Sequence, residues 1–124
     1  MPAYDDSLSP PAPVARVSLR HPGSSLTVTD VLMLIDSGAD VTLIPKSSFD
    51  LFGLEIDLDD TYELKSFDGR TSNLNAVRLD LIFLQKVFKG RFLLMDEKFG
   101  ILGRDVLNHI VLTLDGPHLN WDGR

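Results

Sequence analysis

The alternation of apolar and polar residues predicts a chain built almost entirely of strands. Residues 1–13 are polar and proline-rich, with Pro2, Pro10, Pro11 and Pro13, and predict a mobile arm with little to bury. From Val14 the pattern changes. Val14 to Leu19 alternates like a half-buried strand. After a turn at His21–Ser25, Leu26 to Ile35 alternates and then becomes continuously apolar over 31–35, as expected for a strand covered on both faces. Val41–Ile44 predicts a short strand ended by Pro45, and Lys46–Phe52 one or two helical turns stopped by Gly53. Leu54–Asp60 alternates but is strongly acidic, which fits an exposed edge strand or a loop. Thr61–Phe67 and Asn73–Leu84 flank Asp68-Gly69, a strong hairpin signal. Val87–Met95 gives another strand, or a hairpin with Gly90 near its kink. A short helix over Asp105–His109 and strands at Ile110–Leu114 and His118–Trp121 complete the chain. Many short strands and one or two short helices predict an all-β barrel-like or sandwich architecture over residues 14–124.

Charge and composition narrow the partners. The chain has 124 residues, a formal net charge of −6 and no cysteine. An acidic chain without a basic stripe cannot neutralise phosphates, so neither nucleic acid nor an anionic membrane surface is an expected partner. Without cysteine there is no disulfide framework and no thiolate metal site. His21, His109 and His118 share no ligand spacing, so no metal is expected. Neither a Gly-x-Ser-x-Gly elbow nor a phosphate-cradling glycine loop occurs, and no cofactor is implied. The N-terminus lacks the basic end and apolar core of a signal peptide, which predicts a cytoplasmic protein.

Two runs carry candidate chemistry. In Leu32-Met33-Leu34-Ile35-Asp36-Ser37-Gly38-Ala39-Asp40, an apolar strand leads directly into a carboxylate and a tight turn. In Ile101-Leu102-Gly103-Arg104-Asp105, two apolar residues lead into Gly-Arg-Asp ahead of a short helix. Asp-Ser-Gly by itself is ordinary turn chemistry. Together with the second run and the Phe67-Asp68-Gly69-Arg70 hairpin, it resembles the retropepsin-like aspartic proteases, the single-domain homodimeric branch of the pepsin class. The resemblance spans about residues 14–114 and implies a retropepsin-like acid protease barrel with one short C-terminal helix and a flap hairpin.

The resemblance implies roles for particular residues. Aspartic proteolysis needs two carboxylates sharing one proton, one acting as base on a water and the other polarising the scissile carbonyl. This chain has a single Asp-Ser-Gly, so the dyad would be Asp36 and its copy across a two-fold axis. Ser37 would reach across that axis to lock the two loops, Gly38 would permit the turn and donate its amide, and Asp40 with Arg104 would form an ion pair bracing the dimer. Ala39 stands where pepsin-like enzymes often carry a hydroxyl, and its lack of a donor predicts activity from mildly acidic toward neutral pH. Phe67, Asp68, Gly69 and Arg70 would form the flap over an extended peptide, with Ile101, Leu102 and Gly103 as the second loop of the site. Val41, Ile44, Leu84 and Ile101 are candidate apolar pocket residues. The C-terminal stretch Asp115–Arg124 does not match the termini from which retroviral relatives build their interface.

The expectation is therefore a homodimeric aspartic endopeptidase acting on a peptide or protein substrate. The rival reading is a peptide-binding or dimerisation module of the same fold without turnover, which would have no chemical need for Asp36.

Overall fold

The computed structural model describes residues 2–66 and 68–124. Ten strands and two short helices follow one another as β1 (Tyr4–Asp5), β2 (Ala12–Arg20), β3 (Thr27–Ile35), β4 (Leu43–Pro45), α1 (Lys46–Asp50), β5 (Thr61–Lys65), β6 (Thr71–Phe83), β7 (Lys86–Met95), β8 (Gly100–Leu102), α2 (Arg104–Leu107), β9 (Leu112–Asp115) and β10 (Asn120–Gly123). Six of the strands close on themselves. β2 pairs with β3, β3 with β8, β8 with β4, β4 with β7, β7 with β6, and β6 returns to β2 through Ser18–Arg20 against Asp80–Ile82. Closure leaves these strands with few unpaired edges.

The alternation explains the barrel's filling. Ala15, Val17 and Leu19 of β2 point inward, as do Val31 and Met33 of β3 and Leu79, Leu81 and Phe83 of β6. They meet Ile44, Leu94, Leu102, Val106 and Trp121 in one apolar core. The all-β expectation holds, with boundaries shifted by a few residues. β4 begins at Leu43 rather than Val41, and α2 begins at Arg104 and ends at Leu107. Val87–Met95 belongs to one continuous strand, not a hairpin. The acidic segment Leu54–Asp60 is a loop. Its Leu54 and Ile56 pack on the core, and Asp60 is held by Arg91.

The stretch expected as a mobile arm carries structure. β1 runs antiparallel to the start of β2, with Tyr4 opposite Pro13 and Asp5 opposite Ala12. On its other side it meets the C-terminal hairpin: the Tyr4 N–H donates to Leu119 O at 2.8 Å, and the Trp121 N–H donates to Pro2 O at 3.0 Å. Tyr4 packs on the core. Proline is compatible with such a strand because its carbonyl still accepts and its missing N–H is confined to an edge.

The β5–β6 hairpin stands away from the barrel. Thr61–Lys65 pairs with Thr71–Asn75, yet only Leu64 of β5 is shielded from solvent. Leu64 near the hairpin turn, with Leu74 and Ala76 further down β6, joins a second apolar cluster with Val41, Leu43, Leu93, Met95 and Ile101. That cluster ties the hairpin to the segments on either side of the two anchor runs.

Candidate active site

Asp36 is the first residue beyond β3. β3 and β8 run parallel, with Met33, Leu34 and Ile35 beside Gly100, Ile101 and Leu102. The ladder ends where the Asp36 N–H donates to Leu102 O at 3.1 Å. The chain then turns sharply. The Ala39 N–H donates to Asp36 O at 3.2 Å, and the Gly38 N–H donates to Asp36 Oδ1 at 2.9 Å. A side chain at position 38 would bring a Cβ within 3.2 Å of that oxygen, tighter than ordinary contact. Glycine therefore lets the amide sit against the carboxylate. Asp36 is exposed rather than buried; the apolar run ends before it.

The second anchor run crosses the first. The Arg104 N–H donates to Ala39 O at 2.9 Å. Its guanidinium donates through Nη1 to Ser37 O at 2.7 Å and through Nη2 to Asp40 Oδ1. Arg104 thus holds a backbone carbonyl within the Asp36 turn and a side chain just beyond it. The Asp40 side chain is 79% exposed, so this is a solvated ion pair, worth under about 1 kcal/mol. A Cβ at position 103 would lie 2.5 Å from Val41 O, and only glycine permits the crossing. The Ser37 hydroxyl makes no hydrogen bond among the described residues.

Sequence reasoning missed a stronger junction. Thr42 is fully buried. Its hydroxyl donates to Asp105 Oδ1 at 2.6 Å and accepts from the Gly103 N–H at 3.0 Å, while its own N–H donates to Asp105 Oδ2 at 3.0 Å. The buried hydroxyl and amide of Thr42 and the buried amide of Gly103 are all satisfied here, two of them by the exposed Asp105. The available signal was a lone hydroxyl inside the apolar run Val41-Thr42-Leu43-Ile44, with Asp105 directly after Gly-Arg.

The apolar candidates divide. Val41 and Ile101 lie in the cluster beneath the projecting hairpin. Ile44 is completely buried in the main core, and Leu84 sits in the β6–β7 turn with its Cδ1 facing Gly123. Ile44, fully enclosed, cannot line a site at Asp36. Of the hairpin residues, Phe67 lies outside the described residues. Gly69 adopts φ +83° at the turn. The Asp68 carboxylate accepts from Ser66 Oγ at 2.7 Å and from the Arg70 N–H at 3.0 Å. These two bonds hold its pKa below the usual carboxylate value. Arg70 is solvent-exposed and pairs with the same carboxylate at 3.2 Å.

Two recesses of about 620 and 590 Å³ lie elsewhere: one between β1–β3 and Trp121, the other between β7 and α2. Asp36 itself lies exposed at the surface of the chain. Among the described residues no group of three or more His, Asp or Glu side chains is placed to hold a metal, and no helix is long and apolar enough to cross a membrane.

No protein-family model matches the chain, and no curated protein matches it. Among solved structures it is similar to the EIAV protease in complex with the inhibitor HBY-793, at 20% identity and a TM-score of 0.59, over 79% of this chain and 86% of that one. The fold is therefore retropepsin-like.

Proposed function

We propose that the protein is an aspartic endopeptidase that works as a homodimer, with Asp36 of each subunit forming the catalytic pair. The observation that carries this is the seating of Asp36. A single exposed carboxylate ends an interior strand, accepts the Gly38 amide, and stands on a turn gripped through Ser37 and Asp40 by Arg104. A turn that merely changed direction would have no need of that grip.

In this reading the two carboxylates share one proton, because like charges about 3 Å apart cannot both ionise. One takes a proton from a water as it attacks the scissile carbonyl, and the other donates to the carbonyl oxygen. Roles then reverse as the amine leaves. The titration belongs to the pair rather than to either residue. Ser37, unbonded within its own subunit, is free to reach the partner's turn. The exposed β5–β6 hairpin closes over an extended substrate and excludes water, while Val41 and Ile101 line the floor beneath it.

The test is cleavage of a diverse peptide library by wild type beside Asp36→Asn, with and without a statine-type inhibitor. Wild type should cleave, the inhibitor should block it, and Asp36→Asn should lose activity by at least a thousandfold while retaining its circular dichroism spectrum. Equal cleavage by both proteins overturns the reading. A dimeric wild type that cleaves nothing leaves the fold as a peptide-binding or dimerisation module.

A further inference from the structure

β9 is hydrogen-bonded on one side only. Val111 and Arg124 exchange both backbone bonds, at 2.7 and 3.0 Å, and the register steps from there to Thr113–Asp122 and Asp115–Asn120. In an antiparallel ladder, bonded and non-bonded pairs alternate. Leu112 and Leu114 therefore aim their N–H and C=O groups away from β10. No backbone partner meets them among the described residues. The edge carries neither lysine, proline nor bulge, the usual devices that keep an exposed edge from pairing. It is also apolar: Leu114 is 52% and Val111 55% exposed. The opposite edge of the hairpin is occupied, because β10 meets the chain's own N-terminal strand through Pro2 and Tyr4.

We infer that β9 pairs antiparallel with β9 of a second copy, about a two-fold axis through Thr113, making a four-stranded sheet β10–β9–β9–β10 that builds the dimer from C-terminal hairpins alone. The register follows from the bonding alternation. Thr113 opposes its own copy as a non-bonded pair, and Leu112 of each chain opposes Leu114 of the other, exchanging both backbone bonds. Four free N–H groups and four free carbonyls are satisfied at once. The four leucines come together on the face where Leu112 already packs on the core, which covers the exposed Leu114. An isologous edge of this kind is self-complementary. The need for such a partner rests on the reading of Asp36 as half of a site. The N-terminal strand takes no part, since its bonds are made within its own subunit.

The chain contains no cysteine, so a single one reports the pairing cleanly. A non-bonded antiparallel pair sets Cα atoms about 4.5 Å apart, within disulfide range. Thr113→Cys should form a covalent dimer on mild oxidation, and Ser25→Cys, on an exposed turn, should not. Leu114→Lys places two charges beside the axis. In sedimentation it should weaken dimerisation at least tenfold, with an unchanged circular dichroism spectrum, whereas deletion of residues 1–3 should shift it far less. Peptide cleavage is followed in the same samples, with Asp36→Asn as the inactive control.

Failure to cross-link at Thr113, a wild type that stays monomeric at high concentration, or a Leu114→Lys protein that dimerises as wild type does would overturn the interface. If cleavage that depends on Asp36 persists in any of those cases, the protease reading survives without it. If cross-linking and the Leu114→Lys effect appear but nothing is cleaved, the interface stands and the protease reading falls.

Discussion

Thr42 and Asp105 bond each other twice across the point where the two anchor runs cross. The carboxylate of Asp105 takes the N–H of Thr42 at 3.0 Å and its hydroxyl at 2.6 Å, and the same hydroxyl takes the Gly103 N–H at 3.0 Å. Thr42→Val keeps the shape and removes the hydroxyl, leaving a buried amide without an acceptor. That should lower stability by about 1–3 kcal/mol, read as a lower urea midpoint with an unchanged slope. Asp105→Ala should cost at least as much, since it leaves both Thr42 donors unpaired. Thr42→Ser should restore most of the loss.

Arg104→Lys separates the geometry of the guanidinium from its charge. Lysine can still face Asp40, but it cannot hold Ser37 O and Asp40 together as the planar fork does. The ion pair is solvated in the subunit, so thermal stability should change by under about 1 kcal/mol. Peptide cleavage should fall at least tenfold, because the Asp36 turn loses its anchor. A kinetic comparison at equal dimer concentration checks this, and a fully active Arg104→Lys protein would show that the grip on Ser37 is dispensable.

Much of the fold was legible because its code is local. The inward alternation of Ala15, Val17 and Leu19 and the Asp68-Gly69 turn each follow from a few neighbouring residues. The Gly-Arg-Asp run pointed toward the Asp36 turn only through its resemblance to known proteases. What stayed hidden was non-local or against propensity. Thr42 and Asp105 are 63 residues apart, and no periodicity links them. The N-terminal strand is recruited by the carbonyl of Pro2 and the ring of Tyr4, which composition alone marks as a polar, proline-rich stretch. The β6–β7 connection uses Leu84 and Gln85, neither of which signals a turn.

That connection makes a stability prediction. Leu84 and Gln85 both adopt left-handed backbone, with φ +52° and +62°, as the two central residues of a tight hairpin require. A side chain in this region costs about 1–2 kcal/mol per residue. Gln85 is exposed, whereas Leu84 packs on the core. Gln85→Gly should therefore stabilise the protein by about 0.5–1 kcal/mol, after the extra entropy of glycine in the unfolded chain is subtracted. The melting temperature should rise by a few degrees. Leu84→Gly should fail to do so, because it removes packing along with strain.

The hairpin tip should respond to acid before the barrel does. The Asp68 pKa lies below its ordinary value of 3.8, first because Ser66 Oγ donates to the carboxylate and then because the Arg70 N–H does. A depressed carboxylate pKa means that its contribution to the turn is present above the unfolded value and is lost as pH falls through the folded one. Between about pH 7 and 4.5 the tip should keep these bonds. Below the folded pKa, protonation weakens both acceptor bonds and the Arg70 contact, and the Gly69 and Arg70 amides should exchange faster while those of β2 and β6 remain protected. Asp68→Asn should show the looser tip at every pH and lose the acid transition. An Asp68→Asn protein whose tip amides still titrate in that window would place the responsible group elsewhere.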